Sequence, residues 1–79
     1  MRSMDAKTLK SKFGRRVRAL RHLRDWTQEE LAEITGLSPE YIGDIERGQA
    51  SPSFTVLARL ASALDVEPKS LFEFSELSR

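Results

Sequence analysis

Two groups of side chains in this sequence have the types and the spacing to do chemistry. The first is cationic. Arg2, Lys7, Lys10, Lys12, Arg15, Arg16, Arg18, Arg21 and Arg24 stand in the first 24 residues against Asp5 alone, a net +8. The rest of the chain holds four basic and eleven acidic residues, a net −7, so the overall charge of +1 conceals the segregation. A run of cations set apart in this way recognises a polyanion, nucleic acid first, unless it is only a solvated helix face or an arm. The second group is Pro39, Glu40, Gly43, Asp44 and Arg47, in which two carboxylates four residues apart are followed by an arginine. Such a set can accept and donate hydrogen bonds. Catalysis finds little support elsewhere. The chain has no cysteine, hence no disulfide or thiolate metal site, and its single histidine, His22, leaves no His cluster and no His-based acid–base pair. No Ser/His/Asp set, glycine-rich phosphate loop or carboxylate–metal cluster is present. The expectation is a non-enzyme with no metal, no cofactor and no evident small-molecule ligand.

At 79 residues the chain is one small domain, residues 1–79, with an ordered core over about 8–74. A chain of this size buries only about 60–65% of its unfolded surface, so self-association would add useful stability. No apolar run approaches the ~20 residues of a membrane span, and no signal-peptide pattern opens the sequence. The chain reads as a small soluble intracellular domain. With the chain ending soon after its last helix, no separate sensor or oligomerisation domain is expected.

The elements that must carry these groups are helical. Leu9, Phe13, Val17 and Leu20, then Leu31 and Ile34, Ile42 and Ile45, Leu57, Leu60, Ala61 and Leu64, and finally Leu71 and Phe72 recur at helical spacing, and no stretch alternates with period two. The expected fold is all-α, a compact domain of five helices over 8–24, 28–35, 39–47, 54–64 and 68–74. Thr27 and Glu30 form a capping box, with Trp26 and Leu31 spaced as a hydrophobic staple. Ser38 with Pro39 opens the third helix, Leu37 stapling to Ile42, and Ser53 caps the fourth. Glu67-Pro68 opens the fifth. Gly36 and Gly48 end the second and third. The first five residues and the tail after Phe74 are expected to fray.

The second and third helices are the most specific signal. Ala32 supplies a small residue where two helices cross over a short turn, Gly36 a residue tolerant of positive φ, and Leu31, Ile42 and Ile45 an inner face. Pro39, Glu40, Gly43, Asp44 and Arg47 are left outward, free to enter a major groove. The rival reading is an ordinary αα-hairpin within a bundle. Trp26 and Phe54 read as packing residues, Phe54 against the loop before the fourth helix, and His22 as a surface side chain.

The strings FGRRVRALR at 13–21, WTQEELA at 26–32, GLSPEYIGDIERG at 36–48 and PSFTVLARLASAL at 52–64 resemble, in order and spacing, the phage repressor/Cro-like (XRE) helix-turn-helix family. The resemblance runs over about residues 12–73, and among small members it is nearest to the controller proteins of restriction–modification systems. It implies a lambda repressor-like DNA-binding domain working as a dimer on an operator with two half-sites. It places base reading on Pro39, Glu40 and Asp44, with Gly43 beside them, and phosphate contact on Ser38, Tyr41 and Arg47. Gln28 falls where the family holds a phosphate at a helix N-terminus, a place the helix dipole also favours. Arg21 and Glu46 fall where the family has an internal ion pair, with Arg21 also presented towards the DNA backbone.

Three departures stand out. The base-reading face is acidic and small, suited to accepting from cytosine N4 or adenine N6 rather than donating to guanine. The loop 49–53 has no basic residue, so phosphate neutralisation is expected to lean on Lys12, Arg15, Arg16, Arg21 and Arg47. Asp25 stands where the family has a glycine, and can itself adopt positive φ. Dimerisation is expected through the fifth helix: Leu71 and Phe72 plug the core by the family pattern, while Phe74 and Leu77 stay exposed on the interface.

The function read from the sequence is a sequence-specific transcriptional regulator, a homodimer on a double-stranded DNA operator, with RNA polymerase a further candidate partner. The main alternative is a helix-turn-helix antitoxin or another protein-binding helical module. A structural bundle resting its basic helix on a membrane surface is the remote alternative.

Overall fold

A computed structural model describes residues 4–74. It contains α1 (Ala6–Leu23), α2 (Gln28–Thr35), α3 (Pro39–Glu46), α4 (Phe54–Leu64) and a 3-10 helix (Pro68–Phe72). The expectation of five α-helices is therefore corrected to four and a 3-10 helix. The reason lies in the last segment. It has five residues, and its N-cap, Glu67, makes no side-chain capping bond. Its backbone closes three residues back, Ser70 N–H donating to Glu67 O (2.8 Å) and Glu73 N–H to Ser70 O (3.3 Å). Arg16 Nε also donates to the Ser70 carbonyl (2.7 Å), the acceptor that an α-helical continuation would offer to residue 74.

The local signals operate as read. Thr27 Oγ1 accepts from Glu30 N–H (3.0 Å) while the Glu30 carboxylate accepts from Thr27 N–H (2.8 Å). Ser38 and Ser53 accept from Tyr41 and Val56 N–H. Gly36 and Gly48 both sit at φ 76°, and Asp25 at φ 57°. Two caps were not foreseen. Asp5 accepts from Thr8 N–H (2.8 Å), so α1 starts at Ala6 rather than at residue 8, and this backbone bond lowers the Asp5 carboxyl pKa. Asp65, at φ 55°, ends α4 in the left-handed region.

The core is Phe13, Val17 and Leu20 from α1, Leu31 and Ala32 from α2, Ile42 and Ile45 from α3, Leu60, Ala61 and Leu64 from α4, and Leu71. Every helix contributes, which is how a chain this short stabilises all of them at once. Trp26 and Leu37 pack half-buried against this core, as their place before the caps suggested. Three expected stripe residues lie further out: Leu9 is 38% exposed, Ile34 51% and Phe72 41%. Phe54 is corrected outright. It is 88% exposed at the first position of α4, where it borders a shallow groove with Pro68, Lys69 and Phe72 of the 3-10 helix.

Candidate nucleic-acid interface

The α2–α3 pair is joined by residues 36–38. The chain turns at Gly36, and Leu37 N–H donates back to the Ala32 carbonyl (3.0 Å). Thr35 is buried in this corner. Its hydroxyl donates to the carbonyls of Leu31 (2.7 Å) and Ala32 (3.1 Å), and accepts from Leu37 N–H (3.4 Å). This buried hydroxyl sets the exit of α2, and no sequence pattern had marked it.

Behind α3 lies a polar hub. Glu46 is buried and accepts two parallel bonds from Arg21, Nε to Oε2 at 2.7 Å and Nη2 to Oε1 at 3.0 Å. Arg21 Nη1 donates to the Trp26 carbonyl (2.7 Å), and Gln28 Nε2 donates to Glu46 Oε1 (3.1 Å). One carboxylate on α3 thus ties together α1, the α1–α2 turn and the first residue of α2. The bond to Glu46 raises the Arg21 pKa against the opposing effect of burial, so the arginine is charged at any working pH. A forked pair in which each guanidinium nitrogen has a partner is the form in which a buried ion pair is tolerable. Around it, α1 and α3 approach so closely that a Cβ on Gly14 would collide with the Ile45 carbonyl oxygen and come within 2.7 Å of the Glu46 carbonyl oxygen. The need for glycine there is invisible in the sequence, where Gly14 reads as an ordinary helix residue.

The outer face of α3 borders a shallow groove lined by Gln28, Glu29, Pro39, Glu40, Gly43, Asp44 and Arg47. All four residues expected to read bases, Pro39, Glu40, Gly43 and Asp44, are thereby brought to one surface. Two details differ from the sequence picture. Arg47 Nη2 pairs with Asp44 Oδ1 (2.7 Å), so the acidic face is partly neutralised by its own helix. The Arg47 guanidinium also lies over Gly43, Nη1 being 2.9 Å from where a Cβ would stand.

The residues expected to face phosphates are distributed unevenly. Arg15 is exposed, Lys12 half-buried, and Tyr41 half-buried with its body against the core. Ser38 is exposed, its oxygen engaged as the α3 cap, and Gln28 is anchored to Glu46. Arg16 and Arg21 are each only 7% exposed, with guanidinium groups turned to protein partners. Arg16 holds the 3-10 helix through the Ser70 carbonyl and pairs with Glu73 (3.5 Å). Among the expected interface residues, Leu71 is buried, whereas the structure exchanges the places given to Phe72 and Phe74. Phe72 is exposed, stacked at a tilt on Phe13 (centroids 5.1 Å apart), and Phe74 packs half-buried with its ring edge towards Phe72 (6.3 Å). Leu77 lies outside the described residues.

A capped first helix, a left-handed glycine turn and a second helix held from behind with a polar outer face define a helix-turn-helix unit of the kind that docks on DNA. The family model described as "Helix-turn-helix" (HTH_3) matches residues 17–71, and the chain belongs to that family. It is 38% identical over 66 residues to the control protein C.BamHI of Bacillus amyloliquefaciens, covering 82% of each chain. It is 39% identical over 59 residues to YazB, an uncharacterized HTH-type transcriptional regulator of Bacillus subtilis, covering 75% of this chain and 86% of the other. Among solved structures, the restriction–modification controller protein C.AhdI of Aeromonas hydrophila superposes with a TM-score of 0.78 at 46% identity, over 80% of this chain and 96% of that one. Among the described residues, no helix is long and apolar enough to cross a membrane.

Proposed function

We propose that this protein is a sequence-specific transcriptional regulator that acts as a homodimer on a DNA operator of two half-sites. The observation that carries the reading is the exposed face of α3, with Glu40, Asp44 and Arg47 presented beside the N-terminus of α2 while Glu46 fixes the helix from behind. The names of its relatives, control proteins and HTH-type regulators, support the same reading. In this scheme α3 enters the major groove and the α2 N-terminus, with Lys12 and Arg15, meets phosphates. Occupancy near a promoter blocks RNA polymerase or recruits it, in the cytoplasm on nucleoid DNA. Selection from random duplex DNA tests the proposal. Half-site centres about 10–10.5 base pairs apart, or a multiple, are expected. Recovery of asymmetric sites alone, or no enrichment, would remove it. In the same selection, Glu40→Ala is expected to relax preference at one cytosine or adenine position by about 1–3 kcal/mol. Uniform weakening on every sequence would show that Glu40 supports the fold instead.

The proposed dimer surface is the apolar side formed by Leu9, Phe54, Leu57 and Phe72, where three exposed large hydrophobics cluster around the 3-10 helix. Phe72→Glu is expected to give a folded monomer with weak, non-cooperative operator binding. A variant that sediments as a dimer would place the interface elsewhere.

A further inference from the structure

The outer face of α3 carries an arrangement that its composition does not suggest. Arg47 caps the C-terminus of the helix, yet its guanidinium is not there. It is folded one turn back and lies against Gly43 in the middle of the helix. This is the direction in which helical side chains lean. Asp44 Oδ1 holds Nη2 at 2.7 Å, and both side chains remain about half exposed. The glycine is what makes the seat. A Cβ there would stand 2.9 Å from Nη1 and 3.4 Å from Nη2, displacing the group. Backbone conformation does not call for a glycine here, since Gly43 stands inside an eight-residue helix and is not among the positive-φ residues.

We infer that Arg47 is a base-reading residue specific for guanine, seated on Gly43 and oriented by Asp44, rather than a contact to phosphate. The guanidinium fork presents parallel donors to a major groove, and guanine O6 and N7 are the acceptor pair that such a fork fits. The bond to Asp44 Oδ1 takes one N–H of Nη2 and leaves further guanidinium donors for a base edge. Asp44 is a positioning residue in this scheme, and its second oxygen can still accept from an adjacent base. A face that reads as acidic in the sequence therefore offers both acceptors and a pre-oriented donor. The inference rests on the proposal that α3 enters the major groove.

The test is the base-preference profile of the full chain after selection from random duplex DNA, for the parent, Arg47→Lys and Gly43→Ala. The parent is expected to enrich a guanine at one position of each half-site. Arg47→Lys keeps the charge and loses the fork, so preference at that position should fall about tenfold or more. Gly43→Ala should lose the same preference while its thermal midpoint rises, because alanine favours the helix and only a flexible side-chain end is displaced. That pair of opposite signs is not produced by a damaged fold. Retention of the guanine by Arg47→Lys, or no guanine in the parent site, overturns the inference while leaving the operator reading intact. Failure of the parent to enrich any site removes the operator reading itself.

Discussion

Glu46→Ala is expected to destabilise the protein by about 3–5 kcal/mol, the range for removing one partner of a buried pair and stranding the other charge. The stranded group is Arg21, which would keep its bond to the Trp26 carbonyl and lose both bonds to the carboxylate. Gln28 would lose its anchor as well. A domain of this size has a total stability of roughly 4–12 kcal/mol, so the loss is a large share of it. The thermal midpoint should fall by more than about 12 °C, at about 4–8 °C per kcal/mol for a domain of this length. DNA affinity should fall too, although the variant removes an acid and so lessens repulsion of phosphates. Position, not charge, is what Glu46 contributes, because it holds α3 to α1 and to the start of α2. Glu46→Gln keeps an acceptor and should fall between parent and alanine. A Glu46→Ala protein whose melting and binding curves overlay those of the parent would show that the hub does not hold the helices.

Gly14→Ala is expected to cost more than about 3 kcal/mol, or to prevent folding. Propensity alone argues the opposite, since alanine in a helix interior is better than glycine by about 1 kcal/mol. The contact decides it. The added Cβ would collide with the Ile45 carbonyl oxygen and stand 2.7 Å and 2.8 Å from the carbonyl oxygen and carbon of Glu46. These are backbone atoms of the helix whose last residue carries the buried carboxylate. Overpacking costs about 1–3 kcal/mol where side chains can give way, and more where they cannot. Relief by moving α1 away from α3 would lengthen the bonds between Arg21 and Glu46. A urea midpoint equal to the parent's would mean that the two helices can separate at little cost. Gly43 is the control, for there the blocking atom is the end of an arginine and the same substitution should stabilise the fold.

What was legible beforehand was local. The capping box at Thr27, the Ser38-Pro39 start and the glycine turn at Gly36 are each set by residues within about four positions, so chain order alone contains them. The inner stripe was legible for the same reason. The bond between Arg21 and Glu46 spans 25 positions and was available only through likeness to a family, since neither residue type nor spacing distinguishes that pair from other arginines and glutamates.

The sequence by itself determined that this protein is helical, where α2, α3 and α4 begin, where the chain turns at Gly36, and that α2 and α3 form a capped pair around an apolar seam. These follow from interactions between residues within a few positions of one another. Only the tertiary structure decided which arginines are available. Arg16 is drawn inward by a carbonyl 54 residues away, and Arg47 is folded onto a glycine of its own helix. Tertiary packing likewise decided that Phe72 rather than Phe74 lies further out, that Phe54 meets little, and that Gly14 has no room for a methyl group. The physical reason is common to all of them. A guanidinium or an aromatic ring has similar local preferences wherever it stands, and its role is fixed by the distant atom that happens to satisfy or exclude it.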